Sequence, residues 1–300
     1  MSGDTAITVS GRRLKLTNTD KVLYPATGFT KGDVVDYYQR VAPVLLPHLR
    51  NRPLTLKRYP NGVDGDFFYQ KQAPKHRPDW VRTVSVRTED RDIDFVLVNG
   101  LPTLLWLANL ADLELHTSLA RAASLERPTA LVFDLDPGAP ASIVECCRVA
   151  LLLRELGGEV GLEFWPKTSG SKGMQLYAPL NGRAVFDRTK TFAHAVAQRL
   201  ERSHPQLVVS NIRRELREGR VRIDWSQNAE MKTTVNVYSL RARERPTVST
   251  PIGWDEVKRA VKRDDPDLLV FDWAAALERV ARHGDLFAPV LSVRQRLPRA

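Results

Sequence analysis

Leu131-Val132-Phe133-Asp134-Leu135-Asp136-Pro137-Gly138 is the stretch on which the reading of this chain turns. Its apolar lead-in predicts a buried strand over Thr129–Asp136, broken by Pro137-Gly138. Strand side chains alternate faces, so Asp134 and Asp136 point the same way. Two carboxylates side by side repel each other and lose hydration near a core, and a divalent cation relieves both costs. At a strand end such a pair can hold two metal ions over a polyphosphate. The competing reading is a strand-end turn with solvated acids.

The neighbouring segments supply a sheet for this strand. Ala141–Leu156 predicts a helix closed by Gly157-Gly158, and Glu159–Trp165 a second strand. A small-residue loop, Thr168–Gly173, leads into a third strand at Met174–Ala178. Phe186–Arg202 predicts a second helix. Val221–Trp225 and Thr233–Val237 alternate as strands. The order β-α-β-β-α-β is that of a split βαβ, RRM-like sheet, an α/β (α+β) class. Upstream, Val34, Val35, Tyr38, Val41 and Leu45 recur at helical spacing within Lys31–Leu46. Pro53–Pro60 and Phe95–Val98 read as strands, and Leu101–Ala111 as a buried helix. A C-terminal helix is expected near Asp264–His283, before a basic tail. This favours an N-terminal α/β module, residues 1–125, packed on a catalytic RRM-like subdomain, residues 126–300. One continuous α/β domain is the alternative.

A third acid can complete the pair. In Val221-Arg222-Ile223-Asp224-Trp225, alternation places Arg222 and Asp224 together, opposite Val221 and Ile223. The loop Lys167-Thr168-Ser169-Gly170-Ser171-Lys172-Gly173 combines glycines that let backbone approach an anion with hydroxyls and lysine, which suits a triphosphate. It lacks the order of a Walker A loop and could be a plain hairpin connector. Gln227, Lys232 and Arg241 are donors able to reach phosphate or base, or ordinary surface residues. Lys57 and Arg58 end an apolar strand. His116 follows Leu115, where a satisfied structural histidine is the commoner case.

The whole chain sets limits. Its 300 residues have 43% hydrophobic and 27% charged content, as in a soluble globular protein, and a net charge of +10 that favours a polyanionic partner such as nucleic acid. No apolar run is long enough to span a membrane, and Met1 to Lys15 lacks a signal-like apolar region, so a cytoplasmic location is expected. Cys146 and Cys147 are adjacent, which excludes a disulfide framework.

Taken together, these motifs resemble the polymerase domain of bacterial LigD-type DNA ligases, within the archaeo-eukaryotic primase superfamily. The resemblance runs from Asn18-Thr19-Asp20-Lys21-Val22-Leu23-Tyr24-Pro25 through Phe67-Phe68-Tyr69-Gln70-Lys71, Ala73-Pro74-Lys75-His76, Leu107-Ala108-Asn109-Leu110 and Glu114-Leu115-His116. It continues through the Asp134/Asp136 strand, the Ser169–Gly173 loop and Asp224-Trp225-Ser226-Gln227-Asn228 to Tyr238-Ser239-Leu240-Arg241-Ala242. It implies a metal-dependent nucleotidyltransferase of the primase-polymerase type. The reaction would be template-directed addition of ribo- or deoxyribonucleotides (NTP or dNTP) to a 3′-hydroxyl at gaps or broken ends in DNA repair.

By position, Asp134, Asp136 and Asp224 resemble the family's metal-binding catalytic acids, for two manganese (or magnesium) ions. Ser169 and Lys172 resemble its triphosphate contacts, with Arg241 near the phosphates. Lys57, Arg58, His116 and Gln227 resemble nucleotide-pocket residues. Lys21 and Lys31 resemble a pocket for the 5′-phosphate of the downstream DNA strand, and Phe67 and Phe68 aromatics that stack on DNA. Gln175 stands among the nucleotide contacts where many relatives carry histidine. Glutamine can donate to phosphate but carries no charge and moves no proton. The resemblance also implies a Ku-like partner and a separate ligase, in a bacterial, nucleoid-associated setting. With no K-x-D-G ligase motif, a stand-alone polymerase or an excised domain is expected. Two alternatives are a non-catalytic DNA-end bridging module and a haloacid-dehalogenase-type phosphatase, although the latter's D-x-D normally continues Gly-Thr.

Overall fold

The structure is a computed structural model that describes residues 4–88, 90–182 and 184–298. The last two residues of the basic tail, and the first three of the chain, lie outside the described residues. Contacts divide the chain into two compact units. One comprises Met1–Ala123, Thr233–Val248 and Asp272–Gly284, the other Ser124–Lys232, Ser249–Phe271 and Asp285–Ala300.

In the first unit a mixed layer of helix and sheet forms. Helix Lys31–Leu49 opens with a reciprocal cap between Thr30 and Asp33 and buries Val34, Val35, Tyr38, Val41 and Leu45. These are the residues whose spacing predicts it, and the helix runs three residues further than expected. Its sheet has the order Thr233–Val235, Asp112–Ser118, Pro53–Arg58, Asp92–Leu97, Thr83–Arg87, with Phe68–Gln70 also paired to Pro53–Arg58. Two segments beyond residue 125 therefore pack with this unit. Thr233–Val235 is its edge strand, against Asp112–Ser118. The buried hydroxyl of Tyr37 donates to the Tyr238 carbonyl at 2.8 Å. Thr233–Val235 thus joins this sheet and not that of the aspartates, since side-chain alternation cannot tell which strand will be the partner.

The second unit is a five-stranded sheet in the order Trp165–Thr168, Met174–Pro179, Ala130–Pro137, Val221–Asp224, Val208–Val209. The aspartate strand is antiparallel to both neighbours. With helices Ile143–Glu159 and Phe186–Ser203 between the strands, this is the expected split βαβ topology. Leu131, Phe133 and Leu135 enter one core with Met174, Leu176, Val221 and Ile223, and with Cys147, Leu153, Ala193 and Ala197 of the two helices. One face of the sheet is therefore covered by helices. Alternation sends Asp134, Asp136, Gln175, Arg222 and Asp224 to the other face.

Two expected boundaries shift. Helix Ile143–Glu159 continues through Gly157-Gly158. Gly157 lies against the Phe164 ring and the Leu162 carbonyl, where a Cβ would collide, so this glycine serves packing and not termination. The following strand accordingly begins at Trp165. The helix expected near Asp264–His283 starts later, as Trp273–His283, and a separate helix, Trp254–Arg263, precedes that span. Asp264, at φ +53°, ends Trp254–Arg263, and the Asp272 carboxylate caps Trp273–His283.

Candidate active site

Cross-strand pairing assembles a row of polar residues on the face of the second unit's sheet opposite helices Ile143–Glu159 and Phe186–Ser203. Asp134 lies opposite Gln175 on one side and Asp224 on the other, while Asp136 lies opposite Arg222. Lys167 pairs with Gln175 and extends the row to a fourth strand. Ligand atoms of Asp134, Asp136 and Asp224 all lie within 4.8 Å of one another. The three acids singled out in the sequence therefore do converge.

Their environments differ. Asp134 is partly buried and accepts one hydrogen bond, from Gln175 Nε2 at 3.0 Å. Burial, with the neighbouring Asp136 and Asp224 charges, pushes its carboxyl up to about 7 against the opposing pull of Gln175 and Lys167. Asp136 is half exposed, with the Arg222 guanidinium 3.7 Å away. Asp224 is buried and hydrogen-bonded through both oxygens. Its Oδ1 accepts from Ser226 N at 3.1 Å, Ser226 Oγ at 2.6 Å and Arg222 NH2 at 2.8 Å, and its Oδ2 from Gln227 Nε2 at 3.2 Å.

Three carboxylates form a hard oxygen donor set suited to magnesium or manganese. Two observations fit such an ion. The raised Asp134 carboxyl records a repulsion that a cation would relieve. The amide oxygens of Gln175 and Gln227 are buried without a donor among the described residues, and water bound to a cation could supply one.

The Ser169–Gly173 loop sits beside this strand by necessity. A Cβ on Gly173 would collide with the carbonyl of Leu135, between the two aspartates. Ser169 Oγ accepts from Ser171 N at 3.2 Å and Gly173 N at 3.3 Å, which holds the turn, and Lys172 is exposed.

Two further residues, Lys167 of the loop motif and Arg222 of the Asp224 strand, belong to this face. Lys167 is fully buried and donates to Ser249 Oγ at 2.7 Å. Arg222 is buried against two of the acids. A basic residue within an otherwise apolar strand was the available signal for both.

In the first unit, Lys57, His116 and Arg241 converge on Glu114, which is 1% exposed. The carboxylate lies 3.3 Å from Lys57 Nζ, 2.9 Å from His116 Nε2 and 3.3 Å from Arg241 Nε. It also accepts from Tyr59 OH at 3.4 Å and Ala242 N at 3.1 Å. Burial alone would raise its carboxyl, but His116, Arg241 and Lys57 hold it well below the usual range. Burial lowers His116 against the pull of Glu114, so the imidazole is neutral near pH 7. In the sequence Glu114 stands out only as part of the Glu114-Leu115-His116 motif. Its signal is an acid between Leu113 and Leu115 in a buried strand.

Arg58 points elsewhere, with Nε on the Leu110 carbonyl at 3.0 Å and NH1 on Gln70 Oε1 at 3.1 Å. Phe67 and Phe68 are 50% and 44% exposed and carry the cations of Lys57 and Arg58 at 4.5 Å and 5.2 Å from their ring centroids. Lys21 and Lys31 are brought together by a Lys31 N to Lys21 O bond of 2.8 Å at the helix start. Lys21 is exposed and donates to Asn61 Oδ1 at 3.3 Å. Lys31 is buried, bonded to Thr17 Oγ1 at 3.3 Å and the Asn109 carbonyl at 3.1 Å, and burial together with the Lys21 charge lowers its ammonium.

Residues 30–287 match the family described as LigD, primase-polymerase domain. The multifunctional non-homologous end joining protein LigD of Mycolicibacterium smegmatis is 41% identical over 280 residues, covering 93% of this chain and 36% of the relative. The corresponding DNA repair protein of Mycobacterium tuberculosis H37Rv is 43% identical over 285 residues, covering 92% and 37%. The bifunctional LigD of Bacillus subtilis is 32% identical over 273 residues, covering 91% and 43%. The chain thus spans well under half the length of these relatives. Among solved structures, the polymerase domain of Mycobacterium tuberculosis ligase D in complex with DNA superposes with a TM-score of 0.86 at 42% identity, covering 94% of this chain and 99% of that one.

Proposed function

Since this chain belongs to the LigD primase-polymerase domain family, we propose that it is a nucleotidyltransferase that extends a DNA 3′-hydroxyl with ribo- or deoxyribonucleotides at gaps and broken ends. The observation that carries this reading is the convergence of Asp134, Asp136 and Asp224 on one face of a split βαβ sheet, opposite its helices. Membership of the family removes the phosphatase alternative.

Asp134, Asp136 and Asp224 would hold two divalent ions, manganese by the family resemblance, whose chemistry is to activate the attacking hydroxyl and neutralise the triphosphate. Gln175 orients Asp134 through its amide N–H, and Gln227 and Ser226 orient Asp224. Lys172, exposed on the loop beside the aspartate strand, and Ser169 are the proposed triphosphate contacts. In the first unit, Glu114 holds Lys57, His116 and Arg241 as a preformed set of nucleotide contacts, with Arg58 beside them in the strand. Phe67 and Phe68 offer exposed π-faces to unpaired bases. Lys21 and Lys31 at the start of helix Lys31–Leu49 take the downstream 5′-phosphate. The proposed partners are gapped or broken DNA, a Ku-like protein and a separate ligase, in the bacterial cytoplasm at the nucleoid. Among the described residues no helix is long and apolar enough to cross a membrane.

The test is incorporation on a primed, 5′-phosphorylated gapped duplex with manganese, comparing the wild type with Asp136→Ala. Extension by the wild type alone is the expected result. Gap binding without extension by either protein would instead favour an end-bridging module.

A further inference from the structure

The mechanism above gives Arg222, on the acidic face, no role. Arg222 lies on the strand beside Asp136, directly opposite it in register, and two residues before Asp224 on the same face. Its side chain is 10% exposed. One arm reaches Asp224 Oδ1 at 2.8 Å, and the other lies 3.7 Å from Asp136 Oδ2. Its Nε is buried without an acceptor among the described residues. The guanidinium is therefore held by the acids and not by a hydrogen-bond network of its own.

That placement sets up a competition. A guanidinium is a cation that donates and cannot accept a hydrogen bond. With Asp224 Oδ1 also taken by Ser226 N and Ser226 Oγ, three donors occupy an oxygen that has two lone pairs. A cation that takes Oδ1 replaces one of them, whereas Oδ2, with the Gln227 bond alone, stays open to a cation held beside the guanidinium charge. The Ser226 N–H is fixed within the turn that follows the strand, whereas the Ser226 hydroxyl can rotate and Arg222 sits at the end of a long side chain. The Arg222 arm is the charged donor that can leave.

We propose that Arg222 is a tethered counter-cation of the acidic triad that competes with the divalent ion for Asp224 and Asp136 and so raises the metal concentration the site requires. In the metal-free protein it neutralises part of the carboxylate charge. On loading, its arms leave the acids. The inference rests on the reading of Asp134, Asp136 and Asp224 as metal ligands and goes beyond it, because it assigns a residue that opposes binding. A unit charge a few ångströms from a divalent ion changes affinity by about tenfold or more even at the dielectric constant of water.

The test is Mn2+ binding to the metal-free full chain, read by isothermal titration calorimetry and by the electron paramagnetic resonance signal of free Mn2+. Arg222→Gln, which removes the charge at similar length, is expected to bind about tenfold more tightly than the wild type. Arg222→Lys, whose shorter point charge cannot span both carboxylates, is expected to fall between the two. If Arg222→Gln does not fold, as judged by near-ultraviolet circular dichroism, Arg222→Lys decides alone. Equal or weaker binding by the folded variants, with binding by the wild type retained, overturns the role of Arg222 and leaves the metal site standing. No binding by any of the proteins overturns the metal-site reading and this inference with it. Tighter binding by Arg222→Gln without nucleotide incorporation by any protein supports the role of Arg222 and defeats the polymerase reading instead.

Discussion

Gln175 Nε2 donates to Asp134 Oδ1 at 3.0 Å from the adjacent antiparallel strand, directly across the sheet. The bond uses an uncharged donor to orient a carboxylate. Gln175→Leu removes the donor at similar volume. Loss of a hydrogen bond to a charged group is worth about 1.5–3 kcal/mol, so incorporation is expected to fall about tenfold or more, in kcat before KM. Gln175→His, which can still donate, is expected to retain most of the activity. Steady-state single-nucleotide incorporation checks both.

Asp134 also predicts a pH dependence of stability in the metal-free protein. Burial and the charges of Asp136 and Asp224 raise its carboxyl from 3.8 to about 7 in the folded chain. Between those values the folded state holds a proton that the unfolded state releases. Stability from this group is therefore greatest below about pH 4 and is lost as pH rises through 7. Melting curves in chelator across that window are expected to show the decline. Asp134→Asn should flatten it.

Glu114 carries the opposite sign. The His116 hydrogen bond and the Arg241 and Lys57 charges hold the carboxyl below its ordinary 4.5, so its contribution is present above that value and is lost as the pH falls below it. Glu114→Gln leaves Lys57 and Arg241 facing no buried anion, and unfolding free energy is expected to drop by about 3 kcal/mol. Because the pair is buried, added salt should recover little of it. Denaturant titration at two ionic strengths measures this.

Two glycines are expected to respond differently to alanine. Gly173→Ala drives a methyl group into the Leu135 carbonyl and should displace the loop, lowering both melting temperature and activity. Gly158→Ala meets nothing within 4 Å inside helix Ile143–Glu159 and should stabilise by about 0.5–1 kcal/mol. Thermal melts of the two variants side by side make the comparison.

Lys21 and Lys31 separate recognition from stability. Lys21→Ala should leave the melting temperature unchanged but reduce preference for a 5′-phosphorylated gap, an effect that shrinks as salt rises. Lys31→Ala removes buried bonds to Thr17 and Asn109 and should also cost about 1–3 kcal/mol of stability. Equal wild-type binding with and without the 5′-phosphate would refute the phosphate role of both.

The sequence by itself determined the elements whose signal is local. The period of Val34, Val35, Tyr38, Val41 and Leu45 specified a buried helical face, and the alternation around Asp134 and Asp136 specified two acids on one side of a strand. Asp224 and Arg222 were legible as a same-face pair for that reason too. Only the tertiary structure decided which strands meet. Alternation says which face a side chain takes but not its neighbour across the sheet, so Gln175 on Asp134, and Arg222 between Asp136 and Asp224, required the pairing register. Glu114 meets Lys57 and Arg241 from positions far apart in the chain. A buried charge can be tolerated only where its partners arrive, and that depends on the fold as a whole.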